Sequence, residues 1–500
     1  RYHSGNAGND YLFGEDGNDV LNGGTDNDFL YGGNGNDAVN GDTGDDYFTN
    51  DGGNDTINGG SGFDRYDANY SNASSGLTMT YDTATGSGTI TVGTETDTFT
   101  SIESFDGFKG TEYNDVIFGG TASEYWGALS GGSGNDTISG NAGNDRIYGE
   151  DGNDVLNGGA DNDELYGGNG NDAVNGDTGD DYFTNDAGND TINGGSGFDR
   201  YDANYSNASS GLTMTYDSAT GSGTITVGTE TDTFTSIESF EGFKGTEYND
   251  VIFGGTASEY WGALSGGSGN DTISGNAGDD QIYGEDGNDV LNGGADTDAL
   301  YGGSGNDLLN GDAGDDYFTN EDGNDTINGG SGIDRYEADY SYASSGLTMT
   351  YNTATGSGTI TVGTETDTFT SIENFNGFKG TEYNDVIFGG TAVEELKGGG
   401  GNDTISGNAG DDYIYGEDGN DVLNGGVGND NIYGGNGNDL LNGDSGDDYF
   451  TGDEGDNDTI NGGAGSDSYA ADYSYGSSGL TMTYDTAGSG TITVGTETDT

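Results

Sequence analysis

Large apolar residues recur every nine positions through the first stretch of this chain: Leu12, Leu21, Leu30, Val39, Phe48, Ile57 and Tyr66. Two residues ahead of each stands an aspartate: Asp10, Asp19, Asp28, Asp37, Asp46, Asp55 and Asp64. Glycine, asparagine and more aspartate fill the gaps, as in GGNGNDAVN from Gly32. Nine fits neither the 3.6-residue period of a helix nor the alternation of a long strand. It predicts a six-residue turn followed by a three-residue strand whose middle side chain points inward. Successive phrases then lie on opposite sides, so two phrases, 18 residues, close one coil.

A longer period encloses the short one. The run AGNDYLFGEDGNDVLNGG from Ala7 returns in close variants at Ala142, Ala277 and Ala409, at spacings of 135, 135 and 132 residues. The chain is therefore read as four cassettes, the last incomplete. Nonapeptide blocks occupy 5–67, 131–202, 266–337 and 398–470. Gly-poor, Thr-rich β segments occupy 68–130, 203–265, 338–397 and, truncated, 471–500. The later blocks place their aspartates at Asp136, Asp145, Asp154, Asp163, Asp172, Asp181, Asp190 and Asp199; at Asp271, Asp280, Asp289, Asp298, Asp307, Asp316, Asp325 and Asp334; and at Asp403, Asp412, Asp421, Asp430, Asp439, Asp448, Asp458 and Asp467. Only the last run slips, by a one-residue insertion before Asp458. In the Thr-rich stretch from Ser74 a faint rhythm survives at Tyr81, Ile90, Phe99, Phe108 and Ile117, with Asp97, Asp106 and Asp115 two residues before the last three. This predicts coils that have lost most of their turn glycines; the competing expectation is a small hairpin module breaking up the array. No helical pattern is present, and glycine at one residue in five opposes one.

Composition sharpens the picture. The 500 residues hold 91 acidic against 9 basic side chains, a formal charge of -82, with 104 Gly, no Pro and no Cys. Only 29% are hydrophobic, a balance that by itself means self-repulsion and disorder. Something must neutralise the acid before the chain compacts. A polyanion of this strength is expected to bind neither nucleic acid nor anionic membrane, and its natural partner is a cation. No apolar run approaches membrane-spanning length. The chain opens at Arg1 and closes at Thr500 in mid-motif, which reads as a stretch of a longer protein.

The phrase GGxGxDxUx, with U large and apolar, has a direct physical reading. Its glycines supply positive φ, and the turn brings backbone carbonyls and the Asp carboxylate toward one point. Coil stacking sets Asp over Asp, repulsive alone and attractive with a hard divalent cation between. Oxygen ligands without His or Cys favour calcium over zinc. The 31 aspartates named above are the candidate ligands, for roughly 20–30 ions if each pair of stacked turns holds one. A core of one apolar side chain per phrase cannot offset chain entropy alone, so metal binding and folding are expected to be one event. Such sites fill at extracellular and not at cytosolic calcium.

GGNGNDAVN at Gly32 and GGSGNDTIS at Gly131 resemble the RTX, or hemolysin-type, calcium-binding repeats of secreted bacterial proteins, and the likeness extends over nearly the whole chain. The resemblance implies an all-β fold, a right-handed parallel β-roll (β-solenoid) of 18-residue coils, interrupted or continued by the Thr-rich segments, with calcium held by motif Asp and turn carbonyls. It also implies type I secretion. Asp26, Asp161 and Asp296 replace the fourth-position glycine, which Gly428 restores, and in GTEYNDVIF the turn before Asp115 has changed. Weaker calcium binding is expected at such phrases.

The remaining features weigh toward structure. His3, the lone histidine, is expected in a frayed end. The acidic pairs recur in every cassette, whereas an active site should occur once, so no enzyme activity is expected in this segment. Trp126 and Trp261, in GGTASEYWGALS, are expected to plug an irregular coil, with a sugar platform as the lesser reading; the third cassette has GGTAVEELK instead. Seven of the nine basic residues are Arg65, Arg200, Arg335, Lys109, Lys244, Lys379 and Arg146; the first six, one Arg and one Lys site per cassette where runs begin or end, are expected to pair with acid where calcium loading stops, with partner binding as the lesser reading. Tyr11, Tyr31 and Tyr47 are expected on the surface. The primary functional expectation is a repetitive structural segment of a secreted bacterial surface, fibre, adhesin or matrix protein that folds and stiffens on calcium, with self-association or attachment to a cell surface. The alternative is the calcium-dependent secretion and folding domain of an RTX toxin or exported hydrolase.

Overall fold

The computed structural model describes residues 1–49, 52–184, 187–319, 322–452, 457–471, 480–484, 490–494 and 497–500. The insertion before Asp458 and much of the 471–500 segment lie outside the described residues. All regular elements among the described residues are β-strands. The chain divides into two compact units, Arg1–Phe243 and Lys244–Thr500.

In the first unit the nonapeptides build two parallel sheets. β1 (Tyr2–Ala7), β3 (Val20–Thr25), β5 (Ala38–Thr43) and β7 (Thr56–Ser61) stack on one side. β2 (Tyr11–Phe13), β4 (Phe29–Tyr31), β6 (Tyr47–Thr49) and β8 (Arg65–Asp67) stack on the other. Leu21 pairs with Val39 and Leu30 with Phe48, so the register advances by one coil without slipping. The eighth-position side chains meet between the sheets, with Leu21, Leu30, Val39, Phe48, Ile57 and Tyr66 all buried. His3 occupies the same inward position in β1, paired with Leu21; the expectation of a frayed end is corrected. The second unit repeats the plan, Leu291 pairing with Leu309 and Leu300 with Phe318.

The Thr-rich segment meets each of the two expectations over half its length. β9 (Leu77–Asp82), β10 (Ser87–Val92) and β11 (Glu95–Thr100) form an antiparallel meander. It is spliced into the parallel sheet: β11 lies parallel on β7, with Phe99 beside Ile57, and β12 (Val116–Phe118) lies parallel on β9. On the other side Ser104 bridges Arg65 and Lys109 bridges Ser130. Coil geometry resumes with β13 (Leu129–Ser133) and β14 (Thr137–Ala142), Ile117 beside Ile138. Reduced coils therefore describe the second half of the segment and a hairpin module the first. The cause is the Leu-Thr-Met-Thr-Tyr alternation from Leu77, which turns two large side chains, Leu77 and Met79, inward on one strand, where a coil strand such as Val20–Thr25 buries one, Leu21, and follows it with glycine at the next inward position. The same meander recurs at 212–235 and, in the second unit, at 347–370.

Candidate metal centre

The turn needs glycine for steric reasons that differ by position. Gly33 and Gly35 hold φ of 96° and 138°. A Cβ on Gly33 would lie 2.0 Å from the Glu15 carbonyl oxygen, and one on Gly35 2.1 Å from that of Gly17. The carbonyls of positions two and four thus point at the backbone of the next coil. First-position glycines face their own aspartate: a Cβ on Gly158 would sit 2.3 Å from Asp163 Oδ2. Where the motif departs, the backbone holds its shape. Asp26, Asp161 and Asp296 keep φ of 80°, 76° and 77°, which aspartate tolerates better than most side chains.

The carboxylates form two interleaved ladders. Within a block the backbone N–H of a motif Asp donates to Oδ1 of the Asp one coil on: Asp19 to Asp37 at 2.7 Å, Asp28 to Asp46 at 2.8 Å, Asp136 to Asp154 at 2.8 Å. The second unit does the same, with Asp271 to Asp289 at 2.7 Å and Asp403 to Asp421 at 2.8 Å. All the candidate aspartates are buried except Asp10, which is partly exposed, and Asp467, which is exposed. Their second oxygens are the anomaly. Oδ2 of Asp28, Asp46, Asp64, Asp154, Asp163, Asp181, Asp289, Asp298, Asp316, Asp421 and Asp448 is buried without a hydrogen-bond partner, a costly state for a charged group. Burial pushes Asp46 up to about 6, Asp64 up to about 7 and both Asp163 and Asp298 up to about 8. The N–H bond from the preceding coil opposes the shift, and neighbouring carboxylates add to it.

Buried anionic oxygens without donors, beside carbonyls aimed along the stack, fit a hard cation. Among the described residues no three acidic or imidazole side chains converge. A bound ion would therefore take a carboxylate oxygen from the ladder and the rest of its shell from turn carbonyls. That donor set is oxygen throughout, the chemistry of calcium.

The model of the RTX calcium-binding nonapeptide repeat matches 4–66 in two pieces, 130–201 and 265–336 in two pieces each, and 397–472 in overlapping pieces, together more than half of the chain. This chain belongs to the RTX calcium-binding nonapeptide repeat family. It carries calcium-binding RTX repeats, and proteins with such repeats are typically secreted. No curated protein matches it. Among solved structures, the extracellular lipase LipA from Serratia marcescens is similar at 20% identity, over 46% of this chain and 38% of that one, with a TM-score of 0.13; a likeness that low carries no argument. The chain thus spans well under half the length of that lipase.

Three features of the RTX array escaped the sequence reading. Fifth-position asparagines form a second ladder, Asn18 Oδ1 accepting from Asn36 N–H at 3.2 Å and Asn36 Oδ1 from Asn54 N–H at 3.1 Å. The recurring Asn-Asp pair was the available signal. The acid ladder also continues through the Thr-rich segment: Asp55 N–H donates to Asp97, Asp64 N–H to Glu103, and Glu124 N–H to Asp145 at 2.7 Å. The carboxylates of the meander differ from those of the blocks. Asp97 Oδ2 accepts from the Tyr70 hydroxyl at 3.1 Å, and Asp115 accepts from Thr111 and Leu77 N–H groups. The basic residues sit at the seams. Arg65 meets Asp106 at 3.1 Å and stacks over Tyr47, Arg200 meets Glu241 at 2.7 Å and stacks over Tyr182, and Lys379 meets Asp339 at 2.8 Å.

Proposed function

We propose that this chain is a structural segment of a secreted protein, folded and stiffened by calcium outside the cell, and that it serves as fibre, adhesin stalk or matrix element rather than as an enzyme. The observation that carries the reading is the ladder of buried carboxylates whose Oδ2 atoms lack donors, repeated coil by coil in both units. Cations between coils turn that liability into cohesion, and the motif aspartates are their ligands. Near-identical cassettes in series suit a spacer: each adds coils and none adds a unique chemistry. The same acids recur at every cassette, which speaks against a single catalytic pair.

A calcium titration followed by circular dichroism and small-angle scattering tests it. The expected result is a cooperative passage from expanded coil to compact β-structure at about 0.1–1 mM calcium, the range of extracellular modules. Equal compaction in chelator would remove the calcium requirement and the secretion logic that depends on it.

A further inference from the structure

Tryptophan occurs twice in the sequence, at Trp126 and Trp261, and both side chains stand almost wholly in solvent, 90% and 91% exposed. The expectation of a coil plug is corrected, because a plug would be buried. The geometry shows how the exposure is built. Glu124 takes the place of a motif aspartate, its N–H donating to Asp145 twenty-one residues on, whereas Glu394 in the third cassette donates to Asp412 eighteen residues on. The three extra residues, Trp126–Ala128, swing Trp126 out and leave Leu129 to fill the core beside Ile147. The third cassette lacks them and still closes its coil with Leu396 beside Ile414. The coil therefore has no need of the bulge. Its backbone is nevertheless pinned: Gly127 N–H donates to Asp106, which Arg65 holds in an ion pair.

Beside Trp126 lies an open cavity of about 450 Å³, lined by Tyr125, Asn144, Asn162, Glu164 and Asp180 among others. Tyr125 stands edge-on to Trp126 at 5.6 Å, donates to Glu164 at 2.9 Å, and carries the Arg146 guanidinium over its face at 4.3 Å. An exposed aromatic face flanked by amide and carboxylate acceptors is the surface a pyranose ring takes, C–H face on the indole and hydroxyls on the acceptors. An apolar protein partner would meet too many polar groups there, and an anionic sugar would set its carboxylates against Glu164 and Asp180. We propose that the Trp126 bulge binds an uncharged polysaccharide; around Trp261 the lining changes, with Gln281 and Ala299 in the places of Arg146 and Glu164.

Excited beyond the absorption band of the 33 tyrosines, the intrinsic fluorescence comes from Trp126 and Trp261 alone, and the Trp126→Ala variant separates the two signals. The calcium-loaded chain is titrated with cello-oligosaccharides, with chito-oligosaccharides and with polygalacturonate. The expected result is saturable quenching with a blue shift for at least one neutral series and none for the polyanion. In affinity electrophoresis through the matching neutral polysaccharide, Trp126→Ala should weaken retention on the order of tenfold or more, as loss of an aromatic anchor does, while circular dichroism stays unchanged. Silence toward both neutral series, a response to polygalacturonate of equal size, or retention undiminished in the Trp126→Ala variant would each overturn the proposal. None of these outcomes bears on whether calcium folds the chain.

Discussion

Asp163 and Asp232 lie in the same compact unit, on the same kind of ladder, and are both buried. Each accepts at Oδ1 from the backbone of its neighbour, Asp163 from Asp145 at 2.8 Å and Asp232 from Asp190 at 3.0 Å. They part at the other oxygen. Asp163 Oδ2 has no donor, while Asp232 Oδ2 accepts from the Tyr205 hydroxyl at 3.0 Å. Their apolar surroundings differ too. The coil around Asp163 contributes one inward side chain per phrase, such as Leu156 and Leu165. The meander around Asp232 sits against Tyr216, Phe234, Phe240 and Phe243, with ring centroids 5.1 Å apart at the closest. One fold thus stabilises buried acid in two ways: the blocks leave an oxygen for a cation, and the meanders supply a hydroxyl and an aromatic core.

Calcium removal should separate the two regions most strongly. In chelator, amide hydrogen exchange across Asp136–Asp181 is expected to approach the rate of an unfolded chain. Exchange across Leu212–Thr235 should slow that trend, because its hydrogen bonds and aromatic cluster do not pass through an ion. Uniform loss of protection in both regions would show that the meander draws its stability from the loaded coils.

Acid should restore part of what chelation removes. Burial raises block carboxyls from 3.8, Asp154 to about 6, Asp136 to about 7 and Asp163 to about 8. A group whose folded pKa lies above its unfolded one stabilises the fold fully below the unfolded value and loses that contribution as pH rises through the folded value. The calcium-free blocks are therefore expected to gain β-sheet circular dichroism as pH falls from about 8 toward about 5, with the burial-raised Asp163 protonating early. Calcium-loaded protein should show little change over the same window, since the ion holds the carboxylates charged. A chelated sample that stays unfolded throughout would mean that neutralising charge is insufficient and that the ion's bridging role is essential.

Phe240→Ala tests the aromatic side of the contrast. The ring is fully buried and touches Phe234, Phe243, Tyr201 and Tyr216. Its truncation should cost about 3–5 kcal/mol in the unfolding free energy of the first unit in calcium. In chelator it should abolish whatever protection Leu212–Thr235 retains. A cost below about 1 kcal/mol would indicate that the cluster relaxes around the gap.

The blocks were legible in the sequence because each phrase is its own template: a fixed period, an inward side chain and a glycine turn leave one register available. The meander was half legible. Alternation announced strands, but pairing partners 42 residues apart, Asp55 with Asp97 and Asn54 with Thr96, leave no local trace. The ladder itself hid for a similar reason. A backbone N–H bonding to a carboxylate one coil away is a property of stacking, and at Asp115 or Asp232 only three dimensions reveal which hydroxyl or amide occupies the second oxygen. The Trp bulge was misread because an insertion next to a core position looks the same in sequence whether its large residue turns in or out.

The finest distinction between the regions is a single hydroxyl, and Tyr205→Phe removes it with little change in shape. Burial raises both Tyr205 and Asp232, so the phenol stays protonated and donates to the carboxylate across the physiological range. Deleting the donor leaves Asp232 Oδ2 in the situation of Asp163 Oδ2: buried and short of a donor. The expected loss in calcium-free buffer is about 1 kcal/mol, the net worth of such a bond, rising toward about 3 kcal/mol if the stranded oxygen keeps its charge. The informative readout is the calcium dependence of that loss. If an orphaned oxygen on this ladder is what recruits a cation, the variant's deficit should shrink as calcium rises, and exchange at Leu212–Thr235 should acquire a calcium dependence that the unmodified meander lacks. A deficit that is constant at all calcium concentrations would show that the ladder oxygen alone is not enough, and that the close carbonyls of a glycine turn, absent around Asp232, complete the site.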